Sequence, residues 1–226
     1  MKAIPLLSFI VAAVLAAGCG NGVREPKAAA DPAAVYYEYQ VMGEEGEDSV
    51  SCRLQCRRGS AAGPTILLDP GATVLMDSTP LAADSAGFSG FYYETGLPAA
   101  GFTGKHNWTL TDKSGHSSKL PFTFNAFTLA GIPAQLKRGD LQFEVSGLPD
   151  DAGRLHLLLI DTAWTSNDLN ALLPVKNGRL TVPAARLAEL KSGPISLELR
   201  YDETTPLETG SLRLSYGLRR SFDLVD

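Results

Sequence analysis

Short segments of alternating apolar and polar residues, separated by turn-forming residues, run through this chain from Val35 onward. A period of two is typical of a β-strand, because successive side chains of a strand point to opposite faces. Stretches such as Asp69-Pro70-Gly71 and Asp112-Lys113-Ser114-Gly115 supply the residues that tight turns need. About seven short strands and no helical period are typical of a β-sandwich. The predicted strands are Val35–Val41, Ser49–Arg57, Ile66–Leu68, Thr73–Met76, Phe88–Tyr93, His106–Leu110 and Lys119–Leu129.

The pattern breaks at Ala130-Gly131-Ile132-Pro133 and then starts again. Asn177-Gly178 predicts a hairpin turn. One short helix is predicted at Pro183–Lys191, with Leu187 and Leu190 facing inward, because proline suits a first helical turn and a glycine follows the segment. The fold class is therefore predicted to be all-β: two tandem β-sandwich domains, residues 35–130 and 131–226, with the helix in the second. Its clearest strands are Leu141–Val145, Leu155–Ile160, Leu180–Val182, Ile195–Tyr201 and Leu212–Leu218.

The first residues form a different kind of segment. Lys2 precedes an almost wholly apolar run, Ile4–Ala17, which is shorter than the roughly 20 residues that cross a bilayer. A basic start followed by a short apolar run and small residues is typical of an export signal. The run ends in Leu15-Ala16-Ala17-Gly18-Cys19, which resembles the lipobox of bacterial lipoproteins. That resemblance implies a signal peptide of residues 1–18 and lipidation of Cys19 by acyl chains such as palmitate. The alternative is an ordinary signal peptide that leaves a cysteine near the cleavage point.

Residues 19–34 are rich in glycine, proline, alanine and charge and have no apolar period. This composition predicts a flexible tether. Gly20 stands where, by the same resemblance, an inner-membrane retention signal would have aspartate. We therefore expect a cell-envelope protein anchored by lipid to the outer membrane. Its position on the periplasmic or the surface face stays open.

Two alternating halves behind a lipid anchor resemble tandem immunoglobulin-like modules, in the manner of lipoproteins of Bacteroidota. The resemblance concerns architecture, because the Cys…Trp…Cys pattern of antibody-type domains is absent. The formal net charge of −5 gives no support for nucleic-acid binding, which uses a basic face. The expected partners are the membrane, through the anchor, and a protein or a glycan. No cofactor is predicted.

Two cysteines remain beyond Cys19, and the local pattern argues against a disulfide between them. Cys52 and Cys56 share one face of a predicted strand, four residues and therefore about 13 Å apart. A disulfide needs its Cα atoms within about 7 Å. We predict two free, buried thiols that act as small apolar residues.

Residues that could carry chemistry are few and scattered. His106 and His116 bracket a hairpin that contains Asp112, so a metal site is conceivable, but no chelating motif accompanies them and we predict none. Ser89 lacks the spacing of a GxSxG nucleophile elbow. His156 lies in an apolar strand and predicts a hydrogen-bonded core or edge histidine. We therefore predict no catalytic residue and a non-enzymatic binding or structural module. The alternative is a glycan-directed envelope hydrolase with two carboxylates between the domains.

Aromatic side chains concentrate in the first half. In Tyr36-Tyr37 and Phe91-Tyr92-Tyr93 neighbouring rings must point to opposite faces of a sheet, so some of them are expected on an outer face or at an edge. Exposed aromatic residues bind sugars or proteins; the alternative is packing between the modules or under a covering strand. The candidate binding residues are Tyr36, Tyr92, Tyr93 and Trp108.

Four tripeptides that begin with Asp-Ser or Asp-Thr resemble the O-glycosylation acceptor of Bacteroidota. Short motifs of this kind arise by chance, although composition alone would give about one match. The resemblance implies glycans on some of the hydroxyl side chains of these tripeptides. The candidates are Ser49, Ser78, Ser85 and Thr162.

Overall fold

The computed structural model describes residues 34–149, 153–161 and 168–226. These residues belong to one compact unit of the chain. The signal peptide, Cys19 and most of the tether lie outside the described residues, as does Thr162.

Strands make up most of the structure, and the alternating segments of the sequence lie within them. Up to residue 124 the strands are β1 (Val35–Glu44), β2 (Ser49–Arg58), β3 (Thr65–Ile66), β4 (Thr73–Met76), β5 (Thr79–Pro80), β6 (Ala82–Ala86), β7 (Gly90–Pro98), β8 (Gly104–Thr111) and β9 (Ser117–Phe124).

The described residues after 124 continue in the same way, with one short helix. They form β10 (Thr128–Leu129), β11 (Gln135–Lys137), β12 (Leu141–Ser146), β13 (Arg154–Asp161), β14 (Leu169–Lys176), β15 (Arg179–Val182), α1 (Ala184–Leu187), β16 (Gly193–Leu207) and β17 (Gly210–Val225). The predicted fold class, all-β with one short helix, is confirmed. Within the described ranges, no helix has the length and apolar character needed to traverse a membrane.

A sandwich of two sheets encloses the first core. Strands β17, β1, β2, β7 and β6 are neighbours in one long sheet, and β5, β4, β8 and β9 form a second sheet. Trp108 of β8 is 1% exposed and its ring centroid lies 5.3 Å from that of Tyr39 in β1. The contact joins the two sheets, since the two residues come from opposite layers.

The second core is enclosed by the other part of the long sheet. Strands β12, β15, β14, β13, β16 and β17 follow one another as hydrogen-bonded neighbours. All six contribute side chains to one buried cluster, among them Phe143, Leu157, Leu173, Leu180 and Leu197. A flat sheet could not bring the same face of six strands to one cluster, so this part of the sheet must curl around its core.

The C-terminal hairpin joins the two cores. Strands β16 and β17 pair antiparallel from Gly193 with Leu224 to Leu207 with Gly210, and β17 also runs parallel to β1. Leu212 and Leu214 of β17 lie in the first core. Three later residues of the same strand lie in the second core. These are Leu218, Phe222 and Leu224.

Tyr216 stands where β17 passes from one core to the other. Its ring makes edge contacts with Phe124, at 6.1 Å between centroids, and with Phe127, at 5.5 Å. Phe124 is a residue of the first core and Phe127 of the second. The two cores are therefore in contact through aromatic packing, while the division into domains 35–130 and 131–226 stays a prediction.

An ion pair fixes the turn between β1 and β2 to the same strand. Arg220 binds Glu45 through two guanidinium nitrogens, one of them 3.0 Å from the carboxylate. The backbone N–H of Glu45 donates to the carbonyl of Gly217 at 2.9 Å. Hydrogen bonding from Arg220 lowers the pKa of Glu45 although partial burial opposes the shift.

A glycine allows β17 to lie against β1. Gly210 pairs with Tyr37, and a Cβ at Gly210 would lie 2.0 Å from the Tyr37 carbonyl oxygen. Because that distance is far below van der Waals contact, a larger residue would push the two strands apart where their pairing begins.

Some predicted element bounds were wrong. The predicted strand Lys119–Leu129 is interrupted after Phe124, and Phe127 lies in the second core. The helix is shorter than Pro183–Lys191, although Leu187 and Leu190 face inward as predicted. Phe88 lies in a hairpin tip between β6 and β7 rather than in a strand. The edge strand β6 was missed because its residues are small and all exposed, so they show no apolar period.

The prediction for the two cysteines is confirmed. Cys52 and Cys56 are both unpaired and buried on the inner face of β2. Burial raises the pKa of each thiol to about 12. Both thiols are therefore protonated and shielded at neutral pH, which makes them unreactive.

We expect these thiols to react only after unfolding. In a Cys19→Ser chain, a thiol reagent such as DTNB should modify neither cysteine in the native protein and both in denaturant without reductant. The physical reason is burial together with the raised thiol pKa. Rapid native labelling, or denatured protein that needs reductant before it reacts, would contradict the assignment.

Candidate binding surface

The outer face of the long sheet is the candidate surface, because the core covers the opposite face of the same strands. Along β2 the residues Val50, Cys52, Leu54 and Cys56 are buried in the core, so the residues between them point outward. Cross-strand pairing places further side chains beside them. We call this the outer face; it comprises Tyr36, Glu38, Gln40, Ser51, Arg53, Gln55, Arg57, Asp84, Tyr92, Glu94 and Arg213.

A polar network organises the centre of the outer face. Arg57 donates through Nε to Glu38 at 2.5 Å and through a terminal nitrogen to Oε1 of Gln55 at 2.6 Å. The Gln55 amide donates in turn to the carbonyls of Ser89, at 2.5 Å, and Phe91, at 3.2 Å. Gln55 is 7% exposed, so these bonds satisfy a buried amide. They also hold the β6–β7 hairpin against β2.

Tyr92 lies beside this network under an arginine. The Arg53 guanidinium lies 3.6 Å from the centroid of the Tyr92 ring, which is cation–π geometry. The Tyr92 hydroxyl donates to Asp84 at 3.2 Å, and burial, followed by the charge of Asp84, raises the pKa of that hydroxyl. Ser51 donates to Glu94 at 2.7 Å. The face is therefore ordered, with several of its side chains already held in place.

The structure separates the four predicted aromatic residues. Tyr36 and Tyr92 lie on the outer face, paired across the strands with Arg57 and Asp84. Tyr93 points inward, and its hydroxyl accepts a hydrogen bond from the Leu68 N–H at 2.9 Å. Trp108 is buried in the core. Tyr93 and Trp108 therefore do not contribute to this surface; the sequence showed their chemistry but not which face each occupies.

The predicted glycosylation residues within the described ranges are accessible. Ser49 lies at the start of β2, Ser78 in the turn between β4 and β5, and Ser85 on the edge strand β6, and all three are exposed. Exposure is necessary for modification but does not show that it occurs. Glycosylation at these serines therefore stays a prediction. The fourth candidate, Thr162, lies outside the described residues.

The three histidines lie in separate environments. The His106 ring stacks on Phe102 at 4.0 Å, and its Nδ1 lies 2.9 Å from Asp77. His116 lies in an exposed turn, where its backbone N–H donates to Asp112. His156 is exposed on β13, so the prediction of a core or edge histidine was wrong: β13 has neighbours on both sides, but the outward face of the strand is uncovered. No group of three metal-ligating side chains occurs among the described residues.

One groove is bordered by two consecutive acidic residues of β16 and bears on the hydrolase alternative, although consecutive side chains of a strand point to opposite faces. Asp202 and Glu203 line a cavity of about 630 Å³ between β9 and β16. Burial by itself would raise the pKa of Asp202, but hydrogen bonds from Arg213 and Ser215 outweigh it and lower the pKa. A general acid needs the opposite shift. The groove therefore does not favour acid catalysis by Asp202.

A second set of exposed residues comprises Phe88 and Leu67, whose exposure was not predicted, and Phe91, one of the aromatic residues among which outer-face or edge positions were expected. Phe88 is fully exposed at the β6–β7 tip, and Leu67 and Phe91 are 47% and 44% exposed. The tip is fixed by Gly90, which has φ of +71° and where a Cβ would lie 2.1 Å from Thr65 Oγ1. Glycines on both sides of Phe88-Ser89 were the available signal for a tight turn. Leu67 also lines a cavity of about 620 Å³, whose lining combines apolar residues such as Ala34 and Leu110 with charged ones such as Asp69.

Comparisons with known proteins find no family. No protein-family model matches this chain, and no curated protein matches it. Among solved structures it is similar to a tetra-tandem repeat in the extending region of a large adhesion protein, with 13% identity over 83% of this chain and 49% of that one and a TM-score of 0.28.

Two further solved structures show a similar level of resemblance. Escherichia coli alpha-2-macroglobulin activated by porcine elastase has 12% identity over 83% of this chain and 20% of that one, with a TM-score of 0.29. DIP-gamma IG1+IG2 has 9% identity over 81% and 94%, with a TM-score of 0.23. The chain thus spans about half of the first of these structures and a fifth of the second. At such low scores the similarities carry no argument about function.

We expect Gln55→Met to loosen the β6–β7 hairpin. The substitution keeps the size of the side chain but leaves two carbonyls and Arg57 without their partner, at a cost of about 1–3 kcal/mol. Urea unfolding should show the loss of stability, and chymotrypsin should cleave faster after the exposed Phe88. Gln40→Met, on the same face but outside the network, is the control. Equal stability and equal cleavage in both variants would contradict a structural role for the amide.

Proposed function

We propose that this protein is a non-enzymatic cell-envelope lipoprotein, anchored to the outer membrane through Cys19, that binds a partner through the outer face. The anchor is supported by the leader and by the Leu-Ala-Ala-Gly-Cys sequence that ends at Cys19. Binding is supported by the ordered polar outer face, whose side chains other than Gln55 and Tyr92 are at least partly exposed. That accessible, preorganised face is the single observation on which the binding role depends.

The chemistry of the outer face favours a hydroxyl-rich glycan. Within a few side chains it presents arginines, carboxylates and the ring of Tyr36, which can exchange hydrogen bonds with sugar hydroxyls and contact apolar sugar faces. Tyr92 is 9% exposed and lies beneath Arg53, so it supports that arginine from below. Arg57, Gln55 and Glu38 already hold one another in position, so little side-chain freedom would be lost on binding. A protein partner with a complementary polar surface is the other form of the proposal.

We expect lipidation to be visible in the mass of the chain. Protein recovered from membranes should begin at Cys19 and carry acyl chains, whereas Cys19→Ser should move to the soluble fraction. Acyl chains contribute about 0.8 kcal/mol per buried methylene, so their loss should release the chain. Membrane-derived protein without acyl mass would contradict the anchor. Mass beyond polypeptide plus lipid, lost in the combined alanine variant of Ser49, Ser78, Ser85 and Thr162, would indicate the glycans.

We expect substitutions on the outer face to weaken glycan binding. The probes are purified peptidoglycan fragments and bacterial polysaccharides, titrated against the soluble Cys19→Ser chain. Tyr36→Ala combined with Arg213→Ala should lower the affinity for a bound glycan about tenfold or more, which is about 1.4 kcal/mol.

Arg179→Ala is the matched control for this titration, because Arg179 is also exposed and paired with a carboxylate, Glu144, at 3.7 Å. Equal affinity in both variants would place binding elsewhere. If no glycan binds but a purified envelope protein does, with the same dependence on Tyr36 and Arg213, the protein form of the proposal holds.

A further inference from the structure

Three of the five large hydrophobic side chains that are exposed among the described residues lie at one end of the long sheet. They are Leu67, Phe88 and Phe91; the other two, Met42 and Leu172, lie elsewhere. Monomeric proteins seldom gather exposed apolar side chains without an interaction partner. We call this end the Phe88 end and define it by Leu67, Phe88 and Phe91.

Hydrogen bonds connect these residues through neighbouring strands. The Phe91 N–H donates to Thr65 Oγ1 at 3.1 Å, and Thr65 begins β3, which leads directly into Leu67. On the other side, Gln55 binds the carbonyls of Ser89 and Phe91 and so fixes the tip that carries Phe88. The apolar side chains are therefore held in place rather than carried on a free loop.

The described chain starts at the same end of the sheet. The Ala34 carbonyl accepts a hydrogen bond from the Gly59 N–H at 2.7 Å, and Val35 pairs with Arg58. Strand β2 alone lies between β1 and β7, so Val35 and Phe91 are separated by about two strand spacings across the sheet, or roughly 10 Å. Ala34 also lines the cavity that Leu67 borders.

Chain length limits how far this end can lie from the proposed anchor. Fourteen residues separate Cys19 from Ala34, and a chain of that length reaches at most about 50 Å when fully extended. Met42 and the remaining exposed apolar side chain, Leu172, do not share this position: Met42 lies near the opposite end of β1, and Leu172 lies in β14.

We propose that the Phe88 end rests on the lipid surface to which the protein is anchored, with Phe88, Phe91 and Leu67 entering the interface of the bilayer. The inference rests on the proposed lipid anchor. Apolar and aromatic side chains partition into that interface. The bilayer would then contact the end of the sheet. The outer face, which is formed by the outward-pointing side chains of the same strands, would stay open to its partner.

The test uses a tryptophan at the tip as a depth reporter. Phe88→Trp is made in a chain from Cys19 to Asp226, which contains the whole of the compact unit. Its Cys19 thiol is coupled to a maleimide lipid in phosphatidylcholine vesicles with plain or brominated acyl chains. The buried Cys52 and Cys56 should not compete for the maleimide. Chemical coupling supplies the anchor whether or not cells lipidate Cys19, so failure of this inference is distinguishable from failure of the anchor.

The expected result is loss of most of the added tryptophan emission with brominated chains, relative to the coupled wild-type chain. Leu172→Trp, at a residue that is 46% exposed in β14, is the matched control and should keep its emission. Leu67→Trp is an independent reporter if Phe88→Trp folds poorly, and it should be quenched as well.

Three outcomes would overturn the inference. Unquenched emission at positions 88 and 67 in coupled chains would show that this end stays in water. Equal quenching at position 172 would show that the chain lies on the bilayer without a preferred end. A blue shift of the Phe88→Trp emission with rising protein concentration, in a Cys19→Ser chain without lipid, would show that a second copy covers these side chains instead.

Discussion

The long hairpin of β16 and β17 is the constraint on which the rest of this structure depends. Its β17 strand pairs with β16 along its length, runs parallel to β1, and sends Leu214 into the first core and Leu218 into the second. Tyr216 lies between these two residues and contacts an aromatic ring of each core. Neither core is complete without this strand, so we expect the two to unfold as one cooperative system.

The approach of β17 to β1 depends on local features at both ends of the contact. At one end Gly210 lies where a Cβ would collide with the Tyr37 carbonyl. At the other end the Glu45 carboxylate binds Arg220, a residue 175 positions away in the chain. A parallel pairing between the first and last strands closes a very long loop, which is entropically costly. The two fixed ends and the buried leucines between them offset that cost.

Charged and polar residues on the outside of the same strands form the candidate binding surface. The buried Gln55 amide connects β2 to the β6–β7 tip, and Arg57 connects β2 to β1 through Glu38. The bonds of the Gln55 amide satisfy a buried group that would be costly to leave unpaired. A surface held in this way presents its side chains in a fixed arrangement, and the same bonds position the exposed aromatic tip. Stability and the proposed contacts therefore share one network.

Alternation of residues determined much of this protein from sequence alone. It placed most of the strands and put Cys52 and Cys56 on one buried face, too far apart to form a disulfide. Proline and glycine signals placed the helix of the described residues, with Leu187 and Leu190 inward. These are local properties, because the period of a segment fixes which residues share a face. Tertiary structure alone decided that Trp108 and Tyr93 point inward, that Phe127 belongs to the second core, and that the last strand lies beside the first. A period identifies two faces but not which one is covered; that depends on strand neighbours far away in the chain.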